Sequence, residues 1–247
     1  MCYRGTIRKI NTPPTAERSA VMSPFGLSSP RNYSVPNAKS SFASLSREEI
    51  ETHIAIGRYG SFQLTDAIRP SYDLRIRPEE GYDRRLWRAS NGRASIPLLT
   101  SMVSREKLSD LFFDLLGGLG SMVDVVLESS HARRSGHSDY TRDEIDLPIL
   151  MSCLYDFEDL LLNDGYFGIA VIDPGRQVEV RFDEHKSISV FGRDIDTFEE
   201  IFRAYRIPRR DRVRLLSEDE HLHASASGFR GQFEMLRARL GIDEGFC

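Results

Sequence analysis

Residues 166–192, "YFGIAVIDPGRQVEVRFDEHKSISVFG", decide the fold. "YFGIAVID" and "VEVRF" are short runs rich in β-branched and aromatic residues, and Asp173-Pro174-Gly175 between them is a turn by residue type. Val178, Val180 and Phe182 alternate to one face, and Ile188 and Val190 continue the same parity. A single unbroken strand would carry Glu184 and Lys186 into the core on that face, which is costly for unpaired charges. A hairpin with its tip at 183–186 keeps Phe182 and Ile188 together and leaves the charges in solvent. The stretch therefore predicts three antiparallel strands and an exposed acidic tip.

Working upstream, Ser46 and Glu49 in "SREEIETHIAI" form a capping box ahead of a short helix that carries His53. Asn91-Gly92 supplies the positive φ angles of a tight turn joining strands near 84–90 and 93–99. Ser104 caps a helix whose Leu108, Leu111, Phe112, Leu115 and Leu116 share one face. That helix ends at "GGLG", 117–120, which predicts a left-handed C-cap; a phosphate cradle runs from strand through glycines into a helix, the reverse order. "SMVDVVLE" is a strand, with Asp124 expected at a solvent-open edge. After the polar loop "SSHARRSGHSDY" a helix is expected over 141–163, started by Thr141 with Glu144 or by Asp146 ahead of Pro148.

Downstream, Asp196 and Glu199 box a helix that buries Phe198, Ile201, Phe202 and Tyr205, and "DRVRLL" reads as a short strand. Ser217 and Glu220 start a helical turn, and a last helix runs from Phe229 to Leu240. The expected architecture is α+β: a two-layer domain over 46–247 with a mixed, mainly antiparallel sheet and helices packed on it. Residues 1–45, rich in Ser and Pro with six basic residues against Glu17 alone, predict a disordered basic tail or a start assigned too early.

The composition excludes several classes. The chain has 247 residues and is 40% hydrophobic, enough for a real core without staples. Its three cysteines, Cys2, Cys153 and Cys247, have no ligand spacing, so neither a disulfide framework nor structural zinc is implied, and a cytoplasmic setting fits. No apolar run reaches membrane-spanning length and the first residues lack the apolar stretch of a secretory signal, so neither a spanning segment nor export is expected. Two arginine-dense stretches, 69–93 with Tyr72, Tyr82 and Trp87, and 203–214, have the elements of a nucleic-acid footprint, but the acids among them and the acidic body weigh against it.

The triplet Asp-Glu-His occurs twice, at 183–185 and at 219–221, with His223 following. On the expected helical turn His221 and His223 point about 200° apart; only an extended segment would place them on one face. The two triplets thus have separate local explanations, a hairpin tip and a helix start. A composite site across the fold would draw on His131, His137, His185, His221 and His223 with Glu128 as carboxylate, since ligands and acid-base pairs need spatial rather than sequence adjacency. The candidate partner or ligand surface is Glu128, His131, Arg133, Arg134, His137, Asp183, Glu184 and His185, with no metal and no cofactor assigned.

The segment 164–205, "DGYFGIAVIDPGRQVEVRFDEHKSISVFGRDIDTFEEIFRAY", resembles the closing portion of the SMI1/KNR4-type immunity superfamily in its order of strand, hairpin and capped helix. It has no signature motif, and no residue or partner is carried over. The sequence leads to a non-catalytic binding or regulatory protein acting through protein contacts. The alternatives are a hydrolase-type enzyme with a His/carboxylate site and, behind it, a nucleic-acid-binding protein.

Overall fold

The computed structural model describes residues 6–9, 40–88, 95–131 and 137–242, the first of these as backbone alone. The opening stretch forms strands β9 (Phe167–Asp173), β10 (Val178–Phe182) and β11 (Ser187–Gly192), paired antiparallel with Phe182 opposite Ile188 and Val180 opposite Val190. β5 (Gly81–Arg88) and β6 (Ser95–Met102) extend this sheet on one side, and β7 (Met122–Ser129) and β8 (Ser138–Asp146) on the other. The order is β5-β6-β11-β10-β9-β7-β8, and every ladder is antiparallel; the isolated bridge Tyr82–Arg209 is parallel. The Asn91-Gly92 turn expected between β5 and β6 lies outside the described residues.

One face of the sheet buries Leu99, Val125, Leu127, Ile169, Val171, Val178, Val180, Phe182, Ile188 and Val190. Helices α2 (Arg105–Gly117), α3 (Leu147–Asp156), α4 (Glu158–Asn163), α5 (Asp196–Ala204) and α6 (Phe229–Arg239) supply the other side of that core, with Phe112, Leu150, Leu160, Phe202 and Phe233 among them. This is the expected two-layer α+β architecture. α1 (Arg47–Ala55) starts with the predicted Ser46–Glu49 capping box. It stands beside a smaller sheet, β1 (Thr6–Lys9), β12 (His221–Ser225) and β4 (Ile68–Pro70), while β2 (Arg58–Tyr59) pairs with β3 (Phe62–Gln63).

Several local expectations are corrected. Residues 138–146 are a strand, with Glu128 paired to Asp139 and Val126 to Thr141 at the sheet edge, so of the two expected helix starts Thr141 with Glu144 is overturned and the second holds: Asp146 is the N-cap, and the helix begins at Leu147 with Pro148 in its first turn. Sheet pairing overrides the apparent Thr141–Glu144 box. Asp124 is not at an edge, because β7 lies between β8 and β9; it sits at a bulge, where its Oδ1 accepts the Glu144 N–H at 2.9 Å. Gly118 closes α2 in a right-handed conformation (φ −76°), and its missing side chain makes room for Phe198, since a Cβ there would stand 2.9 Å from that ring. Glu199 does not cap α5; it is buried and accepts from Tyr82 and Arg84. Residues 211–215 form no strand, and a single 3₁₀ turn (Leu216–Glu218) precedes β12.

The folded body also begins before residue 46. Phe42 is fully buried, with its ring edge-on to His53 at 5.7 Å, and Ser41 donates through both N–H and Oγ to Glu220 Oε2 at 2.7 Å. Thr6–Lys9, inside the expected tail, pairs with β12 in the register Arg8 opposite His223. For residues 1–5 and 10–39 the tail reading lies outside the described residues.

The two sheets join at Gly165. Its N–H donates to Ala224 O at 2.8 Å, and a Cβ at this position would stand 2.3 Å from Ala67 O and 2.8 Å from Ala224 O. Only glycine fits, because the neighbours are backbone and cannot swing away. Gly165→Ala is therefore expected to lower unfolding free energy by about 1–3 kcal/mol or more, the range for overpacking, measured by urea denaturation. An unchanged midpoint would show that the sheets do not approach so closely.

Candidate metal centre

The loop before β9 and the β10–β11 tip bring the site together. Asp183 organises the tip: its Oδ1 accepts the N–H groups of His185 (3.0 Å) and Ser187 (2.9 Å), and its Oδ2 accepts Ser187 Oγ (2.8 Å). Lys186 takes the left-handed position (φ 61°) that closes such a turn, and its ammonium turns inward to donate to Phe167 O at 2.9 Å. Burial lowers the Lys186 pKa to about 8, against the pull of Asp164, Asp183 and Glu184. For Asp183 burial acts to raise the pKa, but hydrogen bonds from His185 and Ser187 outweigh it and hold the carboxyl well below its usual range. The tip is thus packed rather than standing in solvent. Buried Lys186 and the partly covered 183–185 correct that expectation.

What packs against it is β12. Because 221–225 is extended, His221 and His223 project from one face of the strand, and both rings meet His185, with centroids 4.9 and 4.8 Å away. One ring nitrogen from each of the three lies within 4.8 Å of the others. The two Asp-Glu-His triplets are therefore joined through their histidines, against the reading that separated them. Their acids hold local structure: Asp219 contacts Ser71 and Arg75, and Glu220 holds Ser41.

Tautomers follow from the partners. His223 Nδ1 faces Gly165 O at 2.5 Å and His221 Nδ1 faces Asp219 O at 2.7 Å. A carbonyl oxygen only accepts, so each Nδ1 carries a proton. In the neutral rings both Nε2 atoms then hold lone pairs, and these face each other at 2.9 Å. That contact is repulsive unless a cation lies between them. A proton is disfavoured: burial first, then the neighbouring His185, lowers the pKa of His221 to about 3 and of His223 to about 4. Nδ1–H held by a carbonyl with Nε2 directed at a common point is how metal-ligating histidines are oriented. Two nitrogens 2.9 Å apart, each about 2.05 Å from one ion, subtend roughly 90° at it. His185 Nδ1 lies 3.6 Å from Asp183 Oδ2, an ion-pair separation longer than a hydrogen bond.

The other named residues sort into two groups. His131, placed by the end of β7, has Nδ1 2.9 Å from Ser129 Oγ and Nε2 3.0 Å from Asp164 Oδ2, and its ring stacks on Phe233. Serine and aspartate there touch the opposite nitrogens from those of a nucleophilic triad, and Ser129 is buried, so the array reads as structural. Glu128 stands with His137 and Asp139, not with the three imidazoles. Ser130 bridges the groups, its Oγ donating to Glu184 Oε2 at 3.1 Å and lying 3.4 Å from His137 Nδ1. Arg133 and Arg134 lie outside the described residues. Asp139, Asp164 and Lys186 were not singled out as site residues from sequence; with 129–140 read as a polar loop ahead of a helix, nothing marked Asp139 as a neighbour of Glu128.

Comparison with family models, curated proteins and solved structures returns no match to this chain. The site must be read from its own chemistry.

Two histidines with depressed pKa values make a definite acid response. Below the ordinary value of about 6.5 the unfolded chain binds protons that the folded rings refuse, so stability falls as pH falls from about 6.5 toward 4. In metal-free protein the slope approaches about 2.7 kcal/mol per pH unit for two such groups. His221→Gln should flatten the dependence of Tm on pH between 4 and 6.5; a variant with the wild-type slope would show that the ring is not held neutral.

Proposed function

We propose that the protein binds a divalent transition-metal ion between His185, His221 and His223 and acts as a metal-dependent binding or regulatory protein. The observation that carries this reading is the opposed pair of Nε2 lone pairs at 2.9 Å, each fixed by a carbonyl on the far side of its ring. Three imidazoles favour zinc, copper, iron or nickel over magnesium or calcium. The ligands come from the main sheet and from β12, so the ion would tie the small sheet to the large one and set the surface that a protein partner meets. No described helix is long and apolar enough to cross a membrane; we place the protein in the cytoplasm from its cysteine usage.

Zinc titration by calorimetry is expected to give one strong site per chain, weakened in His185→Ala and His221→Ala by more than the ~10–100-fold typical of losing an outer partner. Wild-type and variant chains that take up zinc equally weakly would end the proposal.

A hydrolase is the second reading, favoured by the count of ligands: three protein ligands leave a position for water, as catalytic zinc sites do. Glu184, close enough to act electrostatically on His221 and His223, would be its base. Turnover of activated esters or phosphoesters by zinc-loaded protein, lost in Glu184→Gln with zinc affinity kept, would favour it. The arrangement of arginines supports setting nucleic acid aside. Arg69 pairs with Asp66, Arg75 with Asp73, Arg84 with Asp196 and Glu199, and Arg85 with Asp83, so much of the first basic stretch is balanced within the fold.

A further inference from the structure

We infer a second binding site, for a primary alkylammonium, in the pocket between α1 and the turn that follows β4. The pocket holds about 300 Å³; α1 lines it with Glu48, Glu49, Thr52, His53 and Ile56, and Tyr72 comes to it from beyond β4. Steps of three and four residues bring the five helix positions to one side of α1.

The feature that carries the inference is one nitrogen of a buried ring. His53 is only 5% exposed, with Phe42 and Tyr72 against it at centroid distances of 5.7 and 5.5 Å. Its Nε2 stands 2.9 Å from Pro70 O, and a carbonyl only accepts, so in the neutral ring Nε2 carries the proton and Nδ1 holds a lone pair. No described residue donates to Nδ1, yet that atom is not sealed from solvent. The small exposed part of the ring is therefore an acceptor, and it opens on the pocket that the ring lines.

What surrounds the acceptor selects its ligand. Glu48 and Glu49 bring two carboxylates, and no Lys or Arg is among the described lining residues. Arg47 beside them turns to Glu51 at 2.7 Å. Glu49 accepts from Ser46, whereas the Glu48 carboxylate has no partner among the described residues. This field favours a cation over an anion. A bare metal ion does not fit, because His53 and the two glutamates are not among the groups whose ligand atoms all lie within 4.8 Å of one another. An ammonium has several N–H donors and serves an imidazole and a carboxylate that stand apart. Tyr72 and Ile56, each 44% exposed, offer an aromatic face to its charge and apolar surface to its chain. The volume is at the low end of the range for ligand sites, about 300–1,000 Å³, which suits a short chain. Such a group comes from a free amine or from the lysine side chain of a partner protein.

Titration of the full chain with n-butylammonium, followed by nitrogen-resolved NMR of the imidazoles, is expected to shift His53 Nδ1 saturably. n-Butyltrimethylammonium keeps the charge but has no N–H, and should bind at least about tenfold more weakly, the loss of one hydrogen bond to a charged group. His53→Gln keeps an amide donor for Pro70 O but no acceptor in place of Nδ1, and should weaken butylammonium binding as much; Glu48→Gln should weaken it by up to about fivefold. Nα-acetyl-lysine amide separates the sources. Tighter binding than butylammonium points to a partner's lysine and weaker binding to a free amine, and either result supports the inference if His53→Gln reduces it. No saturable shift, a quaternary ion bound as tightly as the primary one, or binding unchanged in His53→Gln overturns it. The comparison of the two ions uses the wild-type chain and stands even if His53→Gln does not fold.

Discussion

The contact on which the site depends is a backbone one. Gly165 presses its chain against Ala67 and Ala224, giving its N–H to one strand of the small sheet while its carbonyl receives His223 Nδ1. The same residue thus docks β12 against the start of β9 and fixes which nitrogen of His223 carries the proton. Moving β12 away would release the ring, its tautomer and its distance to His221 together. Rigid strands hold such geometry better than loops, and both histidines of β12 sit on a paired strand, with β1 on one side and β4 on the other.

The hairpin tip would supply the remaining ligand of the proposed site, His185, by a different device. Asp183 uses both carboxylate oxygens to hold the turn, and Lys186 accepts a left-handed backbone so that its ammonium can enter the interior. A non-glycine residue at positive φ is a local cost, typically of order 1 kcal/mol or more. Here the buried bond to Phe167 O and the surrounding acids offset it. Strain and burial at one tip, beside converging imidazoles, are what a built ligand site looks like, and the parity of Phe182 and Ile188 alone would not have required them.

The layer architecture was readable because it follows from period and turn chemistry. Alternation in 178–190 gave the hairpin register, and apolar spacing in 105–117, 196–204 and 229–239 gave the helices. Errors arose where a local signal competed with a distant strand. Thr141 with Glu144 and Ser217 with Glu220 both have capping-box spacing, yet 138–146 pairs with β7, and 221–225 pairs with β1 and β4. Capping is worth about 0.5–2 kcal/mol; a ladder that also buries Ile145, Leu222 and His223 outweighs it. The second error concealed the site, because the choice between helix and strand decides whether His221 and His223 diverge or converge.

What remained out of reach was the tautomer argument. Sequence can place His-x-His on a strand, but not the carbonyls of Gly165 and Asp219 behind the two rings. Those two oxygens turn a common pattern into a chemical demand. Without them a proton on Nδ1 or Nε2 would cost little to exchange, and the pair could share an N–H···N hydrogen bond; with both Nδ1 protons fixed, the space between the rings is a place for a positive charge. In the proposed site that charge would be a metal ion: burial and the neighbouring His185 disfavour a proton on either ring, whereas a metal ion gains from each neutral ligand it takes.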